Sequence, residues 1–279
     1  MLWGRSARGA IEKHSHIAHL TLMSTELIPS EALTDEARAQ IAAVVDRQRR
    51  ANGVLMKAIN YVGGQVEDGL KMLPAGARAQ VDRAARRALE ASYEAASRSR
   101  GSYAGSDGAH RMMSVLSGAL GGLGGLPTAL AELPIATTII FRAVQGVAAQ
   151  YGEDPRDEAV RLECLAVFGA GGPGADDDGV NTSFFGARIG LTGAAVHGLL
   201  GKVAPRFAAV LSQKLASQAV PILGAAAGAG TNYAFTDYYV AMAHVHFGLR
   251  KLAREHGESR VLDEFHAVLA AKQIPVKQA

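Results

Sequence analysis

One cysteine, one tryptophan and a 6% share of aromatic residues are what this 279-residue chain has least of. A lone Cys164 excludes an internal disulfide, so nothing in the chain asks for an oxidising compartment. It falls in the apolar stretch RLECLAVFGAG, where a buried thiol is the ordinary reading. Strand-like alternation of polar and apolar residues is almost absent. The N-terminal MLWGRSARGAIEKHSHIAHLTLMS is basic but lacks the continuous apolar run of a signal peptide, which places the expected protein on the cytoplasmic side. No GxSxG, HExxH, Walker or GxGxxG arrangement stands in a credible context. No RNP, finger or helix-turn-helix pattern occurs either, so nucleic acid is not an expected partner.

Apolar residues make up 48% of the chain, enough for a substantial core. The formal net charge of +3 is small, but it is unevenly spread. Between Arg38 and Arg111, 13 Lys and Arg face 7 Asp and Glu, a bias that suits an anionic surface such as phospholipid headgroups. The plainer reading is a solvated helix face. In RAQVDRAARRALEASYEAASRSR the pairs Asp82/Arg86, Arg86/Glu90 and Glu94/Arg98 sit four apart, where helical neighbours meet.

Helical periodicity begins near TDEARAQIAAVV, where Thr34 or Asp35 can cap and Ile41, Val44, Val45 and Gln48 keep a three-four spacing. A second stripe, Leu55, Ile59, Val62, Val66, Leu70 and Leu73, stops at Pro74, and helix resumes over 77–98. The turn-rich SRGSYAGSDGAH (99–110) is the best boundary candidate. After it come helix through AELPIATTIIFRAVQGVAAQYG and a helix opened by Asp154 as cap, with Pro155 in its first turn. Further helical segments are expected over 183–201, 205–219, 221–254 and 259–272. The expectation is an all-α fold, one domain over 36–272 with an N-terminal arm (1–35) and a short tail (273–279).

Residues 112–131 and 215–236 carry no charge, and each is long enough for a spanning helix of roughly 20 residues. Composition argues against a span, because Gly, Ala, Ser and Gln contribute little insertion energy. The pairs Gly121/Gly125, Gly186/Gly190 and Gly224/Gly228 instead provide side-chain-free grooves for close helix approach. They suit a compact multi-helix bundle of small-residue helices.

Polar residues inside such a bundle must be paired, since an unpaired buried charge costs several kcal/mol or more. The candidate cluster is Glu132, Arg142, Arg188, Lys214, Asn232, Asp237 and His244, with Gln218 one turn from Lys214. Glu132 or Asp237 with Arg142 or Arg188 would make an ion-pair clasp between helices; the alternative is a polar pocket of acid, base and amide. The histidines of HSHIAH lie in the arm, and DDDG lacks the alternating acids of a calcium loop, so no metal or cofactor is expected. His244 and His246, two apart, fall on different sides of a helix.

The segments AELPIATTIIFRAVQGVAAQYGEDP, SQKLASQAVPILGAAAGAGTNYAFTDYY and VHFGLRKLAREHG resemble the EcsC family, from about residue 50 to residue 257. The specific elements are Glu132-Leu133-Pro134 followed by Arg142, and the block from Pro221 to Asp237. SFFGAR looks like a family element with Phe184 and Phe185 in the places of two tyrosines and Arg188 retained, a departure that removes two hydroxyls. The family takes its name from a protein encoded with the subunits of an ABC exporter and has no established activity as a class. The resemblance implies a bacterial, cytoplasmic-side protein tied to membrane transport or secretion, and it supplies no catalytic residue. Two readings follow: a non-enzymatic membrane-surface or interaction protein whose partners are anionic lipid and an ABC transporter, or an enzyme, such as a hydrolase, built on Glu132, Arg142, Asn232 and Asp237.

Overall fold

Apolar residues spaced three and four apart wind the described parts of the chain into helix. The structure, a computed structural model, describes residues 32–51, 75–98, 113, 126–169, 193–218 and 224–272. Seven helices are found there: α1 (Asp35–Ala51), α2 (Ala75–Arg98), α3 (Leu126–Gln150), α4 (Glu158–Val167), α5 (Gly193–Gln218), α6 (Gly224–His256) and α7 (Glu258–Ala271). All of them belong to the unit Asp35–Ala279. No strand occurs among the described residues, so the expected all-α bundle is what the chain forms. Residues 1–31 of the arm, the stripe from Leu55 to Leu73, the boundary candidate 99–110 and the pairs Gly121/Gly125 and Gly186/Gly190 lie outside the described residues, as do the surroundings of Gly224 and Gly228.

In α1, buried Ala37, Ile41, Val45, Gln48 and Ala51 form one stripe, and acids in the first turn with arginines in the last complement the helix dipole. That stripe packs on α6 and α7, while α2 packs on α3 and α5. Helix α6 is the centre. From Thr231 to Leu249 only Tyr233, Asp237 and Ala241 are not buried, and the helix touches α1, α3, α4, α5 and α7. Phe168, the C-cap of α4, joins the layers through rings at 5.9 Å (Phe141 of α3), 5.3 Å (Phe207 of α5) and 4.8 Å (Tyr239 of α6).

Local signals fail in two places. The break expected between residues 201 and 205 does not occur, and α5 runs through Pro205. Proline removes one helical hydrogen bond and crowds the carbonyl four residues back, here that of Gly201. Gly201 is exposed, so that carbonyl can turn to water. The cap of α4 is Asp157, whose carboxylate accepts from the Ala159 N–H, and not Asp154. Asp154 instead organises the preceding turn, accepting from the Arg156 backbone N–H at 3.0 Å and from its guanidinium.

Helix α3 ends in a Schellman turn. Gly152 takes a φ of 79°, its N–H donates to the Ala149 carbonyl and that of Glu153 to the Ala148 carbonyl. This turn aims Glu153 at α6. A second positive-φ glycine, Gly257 at 90°, is the whole connection between α6 and α7.

At Gly248 α6 approaches α1 closely. A Cβ there would lie 3.3 Å from Cγ2 of Val44 and 3.6 Å from the Tyr151 ring. Gly248→Ala is expected to shift stability by less than about 1 kcal/mol, because a helix-propensity gain of that size offsets the tight contact. Gly248→Leu should cost about 1–3 kcal/mol or more through overpacking. Urea unfolding of the two variants measures the difference; a leucine variant as stable as the parent would show that α1 and α6 are not in contact there.

Candidate functional site

The polar side chains of α6 reach three different neighbours. Near its N-terminal end, Asn232 donates through Nδ2 to Oε1 of Glu132 on α3 at 2.7 Å, with both residues buried. Farther along, Nδ1 of His244 and the Tyr151 hydroxyl lie 3.2 Å apart in hydrogen-bond contact, just past the end of α3. These two contacts, in the same order along both helices, show that α3 and α6 run in the same direction. Burial lifts the Tyr151 hydroxyl above its ordinary pKa, against the charge of Arg47.

The third neighbour is α4. His246 donates through Nε2 to Oε2 of Glu163 at 2.8 Å, and Arg250 donates to the other oxygen at 2.9 Å. Arg250 also holds Glu153 at 2.9 Å, and Arg254 donates to the same oxygen of Glu153. The chain His246–Glu163–Arg250–Glu153–Arg254 therefore ties α4 and the turn after α3 to α6. His244 and His246 do face different neighbours, as their spacing requires. Burial pushes the Glu163 carboxyl up, but the hydrogen bond from His246 and the charges of His246 and Arg250 outweigh it and hold the pKa below the usual range.

Other described candidates meet groups elsewhere. Arg142, on α3, donates through Nη2 to the Ala95 carbonyl of α2 at 2.9 Å, next to a hydroxyl contact of 3.3 Å between Ser92 and Thr138. Asp237 is half-buried, and five residues carry it about 140° around α6 from Asn232. Arg188 lies outside the described residues, as do the side chains of Lys214 and Gln218 on α5. Of the seven candidates the structure joins Glu132 and Asn232. Sequence reading missed Glu153, Glu163, His246, Arg250 and Arg254. The available signal was the spacing of His246, Arg250 and Arg254, each four residues from the next along one face of a helix.

Chemically, these contacts are ties. Cys164 is fully buried, and burial together with the charges of Glu163 and Glu153 drives its thiol well above its ordinary pKa, so it is no nucleophile. Among the described residues no group of three or more His, Cys, Asp or Glu could hold a metal ion.

The EcsC protein family model matches residues 32–178, more than half of the chain. The match takes in Glu132-Leu133-Pro134, Arg142 and Glu163, and ends before the block from Pro221 to Asp237. No curated protein and no solved structure matches the chain.

Two measurements follow from this geometry. Glu163→Gln should cost about 1.5–3 kcal/mol, the range for a hydrogen bond to a charged group, because Arg250 loses one of its two carboxylate partners and keeps Glu153. Since the folded-state pKa of Glu163 is lowered, its stabilisation is fully present above the ordinary carboxylate range and is lost as the pH falls through the lowered value. The stability difference between parent and variant should accordingly shrink on acidification; a difference independent of pH would remove Glu163 from the network. For the other tie, a double-mutant cycle of Glu132→Ala and Asn232→Ala should give a coupling of about 0.5–3 kcal/mol, the range for a side-chain hydrogen bond. Additive losses would dissolve the pair.

Proposed function

The chain belongs to the EcsC protein family, and on that footing we propose that it is a non-enzymatic helical protein binding reversibly to the cytoplasmic face of a membrane, near an ABC-type transporter. The observation that carries this reading is that three of the described candidates make contacts at different helix junctions. Glu132 meets an amide, Arg142 a backbone carbonyl and His244 a tyrosine hydroxyl, at separate helix junctions. An active site needs its acid, base and binding groups around one reacting atom. Residues spread in this way serve helix register better than chemistry.

Two further observations support the surface role. Among the described residues no helix is long and apolar enough to cross a membrane. Arg47, Arg49 and Arg50 of α1 and Arg83, Arg86 and Arg87 of α2 are exposed. Basic side chains near an anionic surface contribute about 1 kcal/mol each, a term that salt screens. The tie to a transporter rests on the export link of the family.

Flotation with anionic and neutral vesicles, at low and high salt, is the direct test. Binding is expected to anionic vesicles at low salt, weakening as salt rises, with a transporter subunit co-purifying from cells. If the protein stays in solution with anionic vesicles at low salt and no membrane protein co-purifies, the surface role fails. An enzyme built around the Glu132–Asn232 pair then becomes the better reading.

A further inference from the structure

The two basic helices lie on different faces of the bundle, because α1 packs on α6 and α7 whereas α2 packs on α3 and α5. Their charge patterns differ as well. Along α2 the arginines alternate with Asp82, Glu90 and Glu94, and Arg86 is paired with Glu90 at 3.0 Å. Helix α1 is polarised instead. Its acids Asp35 and Glu36 occupy the first turn, where Asp35 pairs with Arg38 at 3.6 Å; Arg49 and Arg50 occupy the last, with Asp46 and Arg47 just before them. Eleven residues of helix separate Glu36 from Arg47, about 16 Å, which exceeds a Debye length of about 8 Å at physiological salt. The acidic end therefore does little to neutralise the basic one.

The C-terminal end of α7 adds to the basic end. Lys272, just past α7, places Nζ 2.8 Å from Oδ1 of Asp46, and Arg49 lies 3.6 Å from the same oxygen. One carboxylate thus stands among three cations, Arg49, Arg50 and Lys272, with Arg47 next to it in sequence. The hydrogen bond from Lys272 and the charges of Lys272, Arg49 and Arg50 hold the Asp46 carboxyl below its usual range, so it stays ionised and still leaves the corner cationic. Arg47, Arg49 and Arg50 are all exposed.

We infer that the corner where the C-terminal ends of α1 and α7 meet is the face that docks on anionic phospholipid headgroups, through Arg47, Arg49, Arg50 and Lys272. The inference rests on the membrane-surface reading and adds to it the place of contact. A planar anionic layer meets one face of a bundle at a time, and among the described residues this face sets Arg47, Arg49, Arg50 and Lys272 against the single carboxylate of Asp46. Exposed guanidinium groups bind phosphate oxygens in a bidentate fork, so the partner fits the residue type as well as the charge.

The test compares two charge-matched triple variants of the full chain on vesicles of phosphatidylserine and phosphatidylcholine at low salt. Arg47→Gln/Arg49→Gln/Arg50→Gln should lower vesicle partitioning on the order of a hundredfold, while Arg83→Gln/Arg86→Gln/Arg87→Gln should lower it less than about threefold. Circular dichroism and thermal melting check that both variants fold. Arg50→Gln alone, which breaks no ion pair, should weaken binding about fivefold should the α1 triple variant not fold. If the α2 variant loses as much as the α1 variant, or more, the corner is not the docking face and the membrane reading still stands. Parent protein that does not float overturns both. Parent that ignores vesicles yet binds a single-stranded oligonucleotide through Arg47, Arg49 and Arg50 would reassign the corner to another polyanion.

Discussion

A helix with almost no solvent face has to find partners for every polar side chain it carries, and α6 is such a helix over Thr231–Leu249. Water is not there to satisfy Asn232, His244 or His246, and leaving one unpaired costs about 1–3 kcal/mol or more. Each therefore meets a group from a neighbouring element: Glu132 of α3, Tyr151 beyond α3, and Glu163 of α4. The neighbours are consequently held in one register along α6. Apolar packing alone would tolerate sliding, since side chains such as Leu and Val make no directional contacts.

The aromatic and ionic parts of the core divide the work along this helix. Phe168, Phe141, Phe207 and Tyr239 fill the space where α3, α4, α5 and α6 meet, with stacked and edge-on ring contacts. Glu153 and Glu163 then fix the short helix α4 and the turn before it to Arg250 and Arg254. A ten-residue helix is marginal by itself in water, so tertiary ties of this kind are what keep α4 in place. Cys164, next to Glu163 in sequence, is fully buried, and that burial is the main cause of its raised thiol pKa.

Interior charges are thus consumed by structure, and charge available to a partner lies on the surface. There the sign of single residues matters less than their arrangement. Alternating signs on α2 neutralise one another locally, whereas in α1 two acids stand in the first turn and Arg47, Arg49 and Arg50 outnumber Asp46 near the other end. The same composition can produce a solvated face or an interaction face, and the difference is the distance between opposite charges relative to the screening length.

Helix content, the stripe of Ala37, Ile41, Val45 and Gln48, the buried Cys164 and the opposed directions of His244 and His246 were legible in the sequence, because each depends on the 3.6-residue period and on neighbours a few positions away. The polar candidates were legible only as residues that would need partners. Glu132 finds Asn232 exactly one hundred positions away, and Arg142 finds a carbonyl that no side-chain pattern announces. Pro205 and Asp154 misled for a related reason: a proline can sit inside a helix where the carbonyl behind it reaches water, and Asp154 and Asp157 are equally good caps until the turn selects one. Local periodicity is set by backbone geometry, and the sequence carries it. Pairing is set by which helices pack together and in which direction, and that is a property of the tertiary structure alone.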